Sequence, residues 1–261
     1  MSVSKPTFLI VPGAWHPSSA YQILADQLNA ANCTAVIATH PSLNSKEPSS
    51  VTCAQDAQAV RSVLLSLLDK NEDVVVVAHS YGCVTGSGAA YGLSKASRAK
   101  AGKRSGVIGI VCIAGFLLHG GANMSSMKPP AYVLLDQPEP GFCETSNPAD
   151  IFYHDLDEQS AASMVRSLQP QAMGPFASDS PPTAWEEPEF EGKLAYVRAT
   201  QDRAVPLFVQ DMMMEKSQVK WLVKDIETSH SPFLSRPKEL TNLLLECVDH
   251  FLVSDGPQST T

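Results

Sequence analysis

At 261 residues, with 44% hydrophobic and 18% charged side chains, the chain can bury a sizeable core as one α/β domain, with or without an insertion. A net charge of −8 and an isoelectric point near 5.3 weigh against nucleic acid or an anionic membrane as partner. No apolar run reaches the roughly 20 residues that span a bilayer, and residues 1–6 lack a basic-then-apolar secretory signal, so a cytoplasmic protein is expected.

In chain order, Thr7-Phe8-Leu9-Ile10-Val11 is a short apolar run stopped by Pro12-Gly13, which predicts a strand and a turn. Residues 18–31 carry Tyr21, Leu24 and Leu28 at helical spacing, with Ser18 or Ser19 as candidate N-cap. A second short strand is expected at 34–38, a Pro/Ser/Asn loop at 41–50, and a helix at 51–68 through Val60, Val63, Leu64, Leu67 and Leu68. Four valines, Val74 to Val77, read as a strand buried on both faces. A small-residue helix through Gly86, Gly88, Ala89 and Ala90, a basic loop at 95–104 and a strand at 107–114 follow. This alternation predicts a mostly parallel sheet with helices on both faces. It breaks at 117–185, a proline-rich stretch with several methionines and one clear helical pattern, 157–168. It resumes with a strand at 194–200, a helix at 206–215, a strand at 219–226 and an amphipathic helix at 237–253, before a polar tail expected to fray.

The chemistry gathers around Ala78-His79-Ser80-Tyr81-Gly82. Small residues two positions either side of Ser80 permit a turn too tight for larger ones, the nucleophile elbow, written here Ala-x-Ser-x-Gly. Such a turn holds the Ser80 hydroxyl above the sheet, at the start of a helix whose amides favour developing negative charge. A serine needs a base, and the base a third group that fixes its tautomer. In sheets of this kind they follow in the order Ser, acid, His. Asp202 and His230 have that order, each just past a predicted strand, where open α/β sheets gather their ligands. Alone, Asp202 would read as a turn or cap residue and His230 as a solvated loop residue. With Ser80 they read as acid, base and nucleophile. Oxyanion donors are expected from the amides of Tyr81 and, in the loop where Gly13 allows a close backbone approach, Ala14.

Trp15 and His16 are candidate pocket residues, as are His119, Met124 and His154 from the irregular stretch. Met124, Met127, Met164 and Met173 suggest an adaptable apolar roof. His79 is expected to be structural, and Cys83 to pack on the first helical turn after Ser80. Cys33, Cys53, Cys112 and Cys247 read as buried free thiols. Asp155, Asp157 and Glu158 fit a helix N-terminus better than a metal site. With neither a phosphate loop nor a dinucleotide fingerprint, no cofactor and no metal are expected.

These residues resemble the α/β-hydrolase superfamily, and within it the group of plant methylesterases and hydroxynitrile lyases. The likeness rests on Val11-Pro12-Gly13-Ala14-Trp15, on the elbow, on Thr200-Gln201-Asp202-Arg203-Ala204-Val205-Pro206 and on His230-Ser231-Pro232-Phe233-Leu234-Ser235-Arg236-Pro237. It spans residues 7–116 and 192–253. Between them only Asn147-Pro148-Ala149-Asp150-Ile151-Phe152-Tyr153 is familiar. The resemblance implies an α/β-hydrolase core at 1–116 and 192–261 with a cap inserted at 117–191 over the site. It also implies Ser80 as nucleophile, Asp202 as acid, His230 as base, and Ala14 and Tyr81 as oxyanion donors. Pro12 replaces a histidine usual in the group, and Ser231 stands where the lyases carry a lysine for the cyanide leaving group, which counts against a lyase. The expected function is hydrolysis of an ester of a small to medium, mostly apolar molecule through an acyl-enzyme. The alternatives are the same fold used as a lyase, a C–C bond hydrolase or a cyclase in a biosynthetic pathway, or a non-catalytic ligand receptor.

Overall fold

The structure, a computed structural model, describes residues 5–126 and 129–253. The polar tail at 254–261 and Met127 lie outside the described residues. Strand and helix alternate through β1 (Thr7–Val11), α1 (Gln22–Ala30), β2 (Ala35–Ile37), α2 (Cys53–Leu68), β3 (Val74–His79), α3 (Gly82–Ala90), α4 (Lys95–Lys100) and β4 (Val107–Ile113). After β4 come β5 (Val133–Leu135), β6 (Phe142–Thr145), α5 (Pro148–Phe152), α6 (Glu158–Ser167), β7 (Gln171–Ala172) and α7 (Gly174–Ala177). The chain then runs through β8 (Leu194–Ala199), α8 (Leu207–Ser217), β9 (Leu222–Ile226), α9 (Pro232–Ser235) and α10 (Pro237–Val253).

The main sheet has six strands in the order β2-β1-β3-β4-β8-β9, and every pairing is parallel. Because side chains alternate along a strand, consecutive apolar residues feed two cores. Leu9, Val11, Val74 and Val76 pack with Val60 and Leu64 of α2 and Ala89 and Ala90 of α3. Phe8, Ile10, Val75 and Val77 pack with Leu24 and Leu28 of α1 and Leu240, Leu244 and Phe251 of α10. An uninterrupted valine run is therefore buried on both sides, as expected of a central parallel strand.

Local chemistry sets the helix starts, with two departures from expectation. A capping box between Thr52 and Gln55 opens α2. Neither Ser18 nor Ser19 caps α1: a 3-10 turn over Ser18–Tyr21, preceded by Pro17, runs into it without a side-chain cap bond. The basic stretch expected as a loop contains α4, capped by the Ser94 side chain accepting from the Ser97 amide. The Arg98 guanidinium is buried there against the Ser105 carbonyl at 2.7 Å, so its charge did not mark an exposed loop.

Within residues 117–191, α6 matches the expected helix, with Asp157 as its N-cap. The segment also forms an antiparallel sheet, β5-β6-β7, separate from the main one. Among the described residues, no helix is long and apolar enough to cross a membrane.

Candidate active site

Ser80 follows β3 with φ at +52°, the left-handed region that a non-glycine residue keeps only where its surroundings over-determine it. Its amide donates to Ile113 O at 3.0 Å, and its carbonyl accepts from Cys83 N at 3.0 Å and Phe116 N at 3.2 Å. The turn brings position 82 against β1: a Cβ there would lie 2.4 Å from Pro12 O and 2.5 Å from Val11 O, so only glycine fits.

Asp202 and His230 meet beyond the ends of β8 and β9. His230 Nδ1 lies 2.7 Å from Asp202 Oδ2, with both side chains buried. Asp202 Oδ1 accepts from the amides of Ala204 (2.7 Å) and Val205 (2.9 Å), which fixes the carboxylate in its loop. Since a carboxylate only accepts, Nδ1 carries the imidazole proton and Nε2 is left as the acceptor. His230 and Ser80 line the same cavity.

His79 links three of these loops. The Tyr21 hydroxyl accepts from Gly13 N at 2.8 Å and lies 2.7 Å from His79 Nδ1. His79 Nε2 lies 2.9 Å from the carbonyl of His230 and is its donor. The ring is neutral: burial first, then the neighbouring His230 and His16, hold its pKa well below the usual histidine range. His79 is thus a structural residue, as expected, with a particular task of connecting the Gly13 loop to the backbone of His230.

Gly13 brings the first loop against the elbow, a Cβ there falling 2.8 Å from His79 Nδ1 and 3.1 Å from Ser80 Cβ. The Gly13 amide is taken by Tyr21 and that of Ser80 by Ile113. The amides of Ala14 and Tyr81 make no hydrogen bond to the described residues, and both residues line the cavity. His16 is buried, with Nδ1 2.7 Å from Ala14 O and Nε2 2.8 Å from the Tyr153 hydroxyl. Desolvation lowers its pKa to about 4.

The cavity holds about 570 Å³, and Trp15, Phe116, Met124, Tyr132, Phe152 and Phe176 form much of its wall. Trp15, His16, Met124 and Met173 line it. Two expected pocket residues do not. His119 is exposed and paired with Glu186 at 2.6 Å, its ring against Trp185. His154 is half-buried and bonds Gln201 O at 2.9 Å; its neighbour Tyr153 is the residue that turns inward. Met164 packs into the core clusters instead of the cavity wall. Cys83 is buried with Sγ 3.1 Å from Ala78 O, and the other cysteines are likewise buried and free. Asp155 accepts from the Ser229 amide at 2.9 Å, which with the Asp157 cap accounts for two acids of that cluster. Ser231 is buried and does not line the cavity. The charged member of the wall, Arg203, is paired with Asp150.

Sequence reasoning passed over Asp56. It is fully buried on α2 and accepts from Ser42 N (3.0 Å), Ser42 Oγ (2.5 Å) and the Tyr81 hydroxyl (2.7 Å). A signal existed: Cys53, Asp56, Ala57, Val60, Leu64, Leu67 and Leu68 form the buried stripe of α2, and an acid on such a stripe needs a reason.

Residues 8–243 match the model of the alpha/beta hydrolase family. An alpha/beta hydrolase of Aspergillus novofumigatus is 24% identical over 245 residues, 92% of this chain and 95% of that protein. A putative chloroplastic methylesterase of Arabidopsis thaliana is 26% identical over 194 residues, 70% of this chain and 54% of that protein. The crystal structure of another Arabidopsis methylesterase superposes with a TM-score of 0.69 at 21% identity, covering 94% of this chain and 99% of that one.

Proposed function

The chain belongs to the alpha/beta hydrolase family, and from that premise we propose that it is a serine esterase acting on a neutral, largely apolar ester. One observation carries the reading: His230 is held by Asp202 at 2.7 Å and opens, together with Ser80, into an apolar cavity. In this reading His230 Nε2 takes the Ser80 proton as Oγ attacks the ester carbonyl, and Asp202 stabilises the imidazolium that forms. The amides of Ala14 and Tyr81 receive the oxyanion. His230 then returns the proton to the leaving alcohol, and water releases the acyl group by the same steps reversed. No part of the route calls on a metal or an organic cofactor.

Substrate class follows from the wall. Arg203 is neutralised by Asp150, so a carboxylate or ammonium inside the cavity would find no counter-charge among the described lining residues. A volume near 570 Å³ falls in the range, about 300–1,000 Å³, that encloses drug-sized ligands. Met124, Tyr132, Phe152, Met173 and Phe176 all come from residues 117–191, which supports reading that segment as a cap.

The test is a p-nitrophenyl ester series from acetate to decanoate, with wild type and Ser80→Ala. kcat/KM is expected to rise with chain length, by up to about fourfold per methylene buried, and to fall at least about a thousandfold in Ser80→Ala. Mass spectrometry of a quenched reaction should find acyl-Ser80. Turnover without that adduct would move the assignment to an acid–base lyase or cyclase, and tight binding without turnover to a receptor.

A further inference from the structure

Trp15 is the residue least suited to its own backbone. Its φ is +63°, in the region that favours glycine and that a bulky side chain keeps only under restraint. The restraints have a common origin. Trp15 O accepts from Gln169 N at 2.9 Å, and the indole Nε1 donates to Cys143 O at 2.9 Å. Trp15 N reaches Gln171 Oε1 at a long 3.5 Å. The carbonyl just before it, Ala14 O, is held by His16, whose other ring nitrogen takes the Tyr153 hydroxyl. Cys143, Tyr153, Gln169 and Gln171 all belong to the inserted segment. On the other side of Ala14, the Gly13 amide is held by Tyr21 of the core at 2.8 Å. The Ala14 amide sits between an anchor on the core and a set of anchors on the insertion.

We propose that the insertion is a working part of the oxyanion hole. By holding Trp15 left-handed through Cys143, Tyr153, Gln169 and Gln171, it sets the Ala14 amide, so that a seated cap and a formed hole are one state. The inference rests on the serine-esterase reading, with Ala14 as an oxyanion donor. Tyr153 and His16 are positioning residues in it, acting through the Ala14 carbonyl. With the cap unseated the loop can relax from its left-handed turn, and the site idles until a substrate is enclosed.

Tyr153→Phe tests this, because it deletes one hydroxyl of a residue that does not line the cavity and keeps the ring. On the ester series kcat should fall about ten- to a hundredfold, with KM within about twofold of wild type. Affinity for an n-alkyl boronic acid, whose tetrahedral adduct on Ser80 puts an oxygen in the hole, should fall by the same factor as kcat/KM. The acid limb of the kcat–pH profile should keep its midpoint, since His230 and Asp202 are untouched. Full activity in the folded variant, a rise in KM alone, or a kcat loss with unchanged boronate affinity would each overturn the proposal. Should Tyr153→Phe not fold, His16→Asn against His16→Leu carries the same test. An asparagine amide can still donate to Ala14 O, so the Asn variant should be several-fold the more active, and equal activities would overturn the proposal. Failure of the esterase reading is separable: Ser80→Ala would then retain turnover, whatever the Tyr153 variant does.

Discussion

A single hydrogen atom decides residue 82. Replacing it by a methyl group puts carbon 2.4 Å from the carbonyl oxygen of Pro12 and 2.5 Å from that of Val11, at and just past the end of β1, and neither oxygen can swing away as a side chain would. Gly82→Ala should therefore force β1 from the elbow, costing about 2 kcal/mol or more. Esterase activity should fall with it, as the alignment of Ser80 with the loop is lost. A urea midpoint and ester turnover within error of wild type would show that the elbow has slack the geometry denies it. The spacing of small residues around Ser80 was legible in the sequence because the demand is local, spanning five consecutive residues. The distant partners of the same turn were not. That the Tyr21 hydroxyl would meet His79, 58 residues on, has no signature shorter than the fold itself.

Among the elements, α2 does more than cover the sheet. Its buried Asp56 gathers the Ser42 amide and hydroxyl and the hydroxyl of Tyr81, while Gln171 of β7 donates to Ser42 Oγ at 2.7 Å. One carboxylate thereby ties α2, the loop after β2 and the residue following Ser80. Asp56→Leu strands three buried donors and should cost about 3 kcal/mol or more, whereas Asp56→Asn keeps an acceptor for the Ser42 amide and should cost clearly less. Equal losses in urea unfolding would mean that packing volume, and not hydrogen bonding, is what Asp56 supplies. Elements with many turns of periodicity, such as α2 and α10, were legible in the sequence for the reason they are stable: apolar residues recurring on one face. The strands within residues 117–191 are two to four residues long, too short to show alternation, and β6 finds β7 only across α5 and α6. The same segment hid the fates of His119 and His154. Residues 152–155 clasp three loops: Phe152 O accepts from Ser229 Oγ and Asp155 takes the Ser229 amide, while Tyr153 reaches His16 and His154 reaches Gln201. Which of the four would face the cavity depends on that docking and not on residue type.

At the scale of the whole molecule, the buried histidines make stability depend on pH. His16, His40 and His79 are buried and neutral, all with pKa lowered chiefly by desolvation: His16 to about 4, His79 well below its usual value, and His40 in the same direction. In the unfolded chain each would take a proton near pH 6.5. Above that pH both states are unprotonated at these sites and no penalty exists. As pH falls below it, the unfolded state gains protons that the folded state refuses, so stability drops until the folded groups titrate in turn. For His16 the window runs from about 6.5 down to about 4, and its full width corresponds to roughly 3 kcal/mol. From His16 and His79 the slope near pH 5 should approach about 2.5 kcal/mol per pH unit, with His40 adding in the same direction, large against the roughly 5–15 kcal/mol that holds a domain together. Urea unfolding between pH 7.5 and 4.5 should therefore show a midpoint steady above pH 7 and falling steeply below 6, with about two protons or more taken up on unfolding at pH 5. A midpoint unchanged from pH 7 to 5 would require these rings to accept protons where they sit. Protonated, His79 could no longer accept at Nδ1 from Tyr21, nor His16 at Nε2 from Tyr153. The Tyr21 and Tyr153 hydroxyls that brace the His79 and His16 rings would lose their acceptors in the folded enzyme, and turnover would fall over that same range while the fold stood.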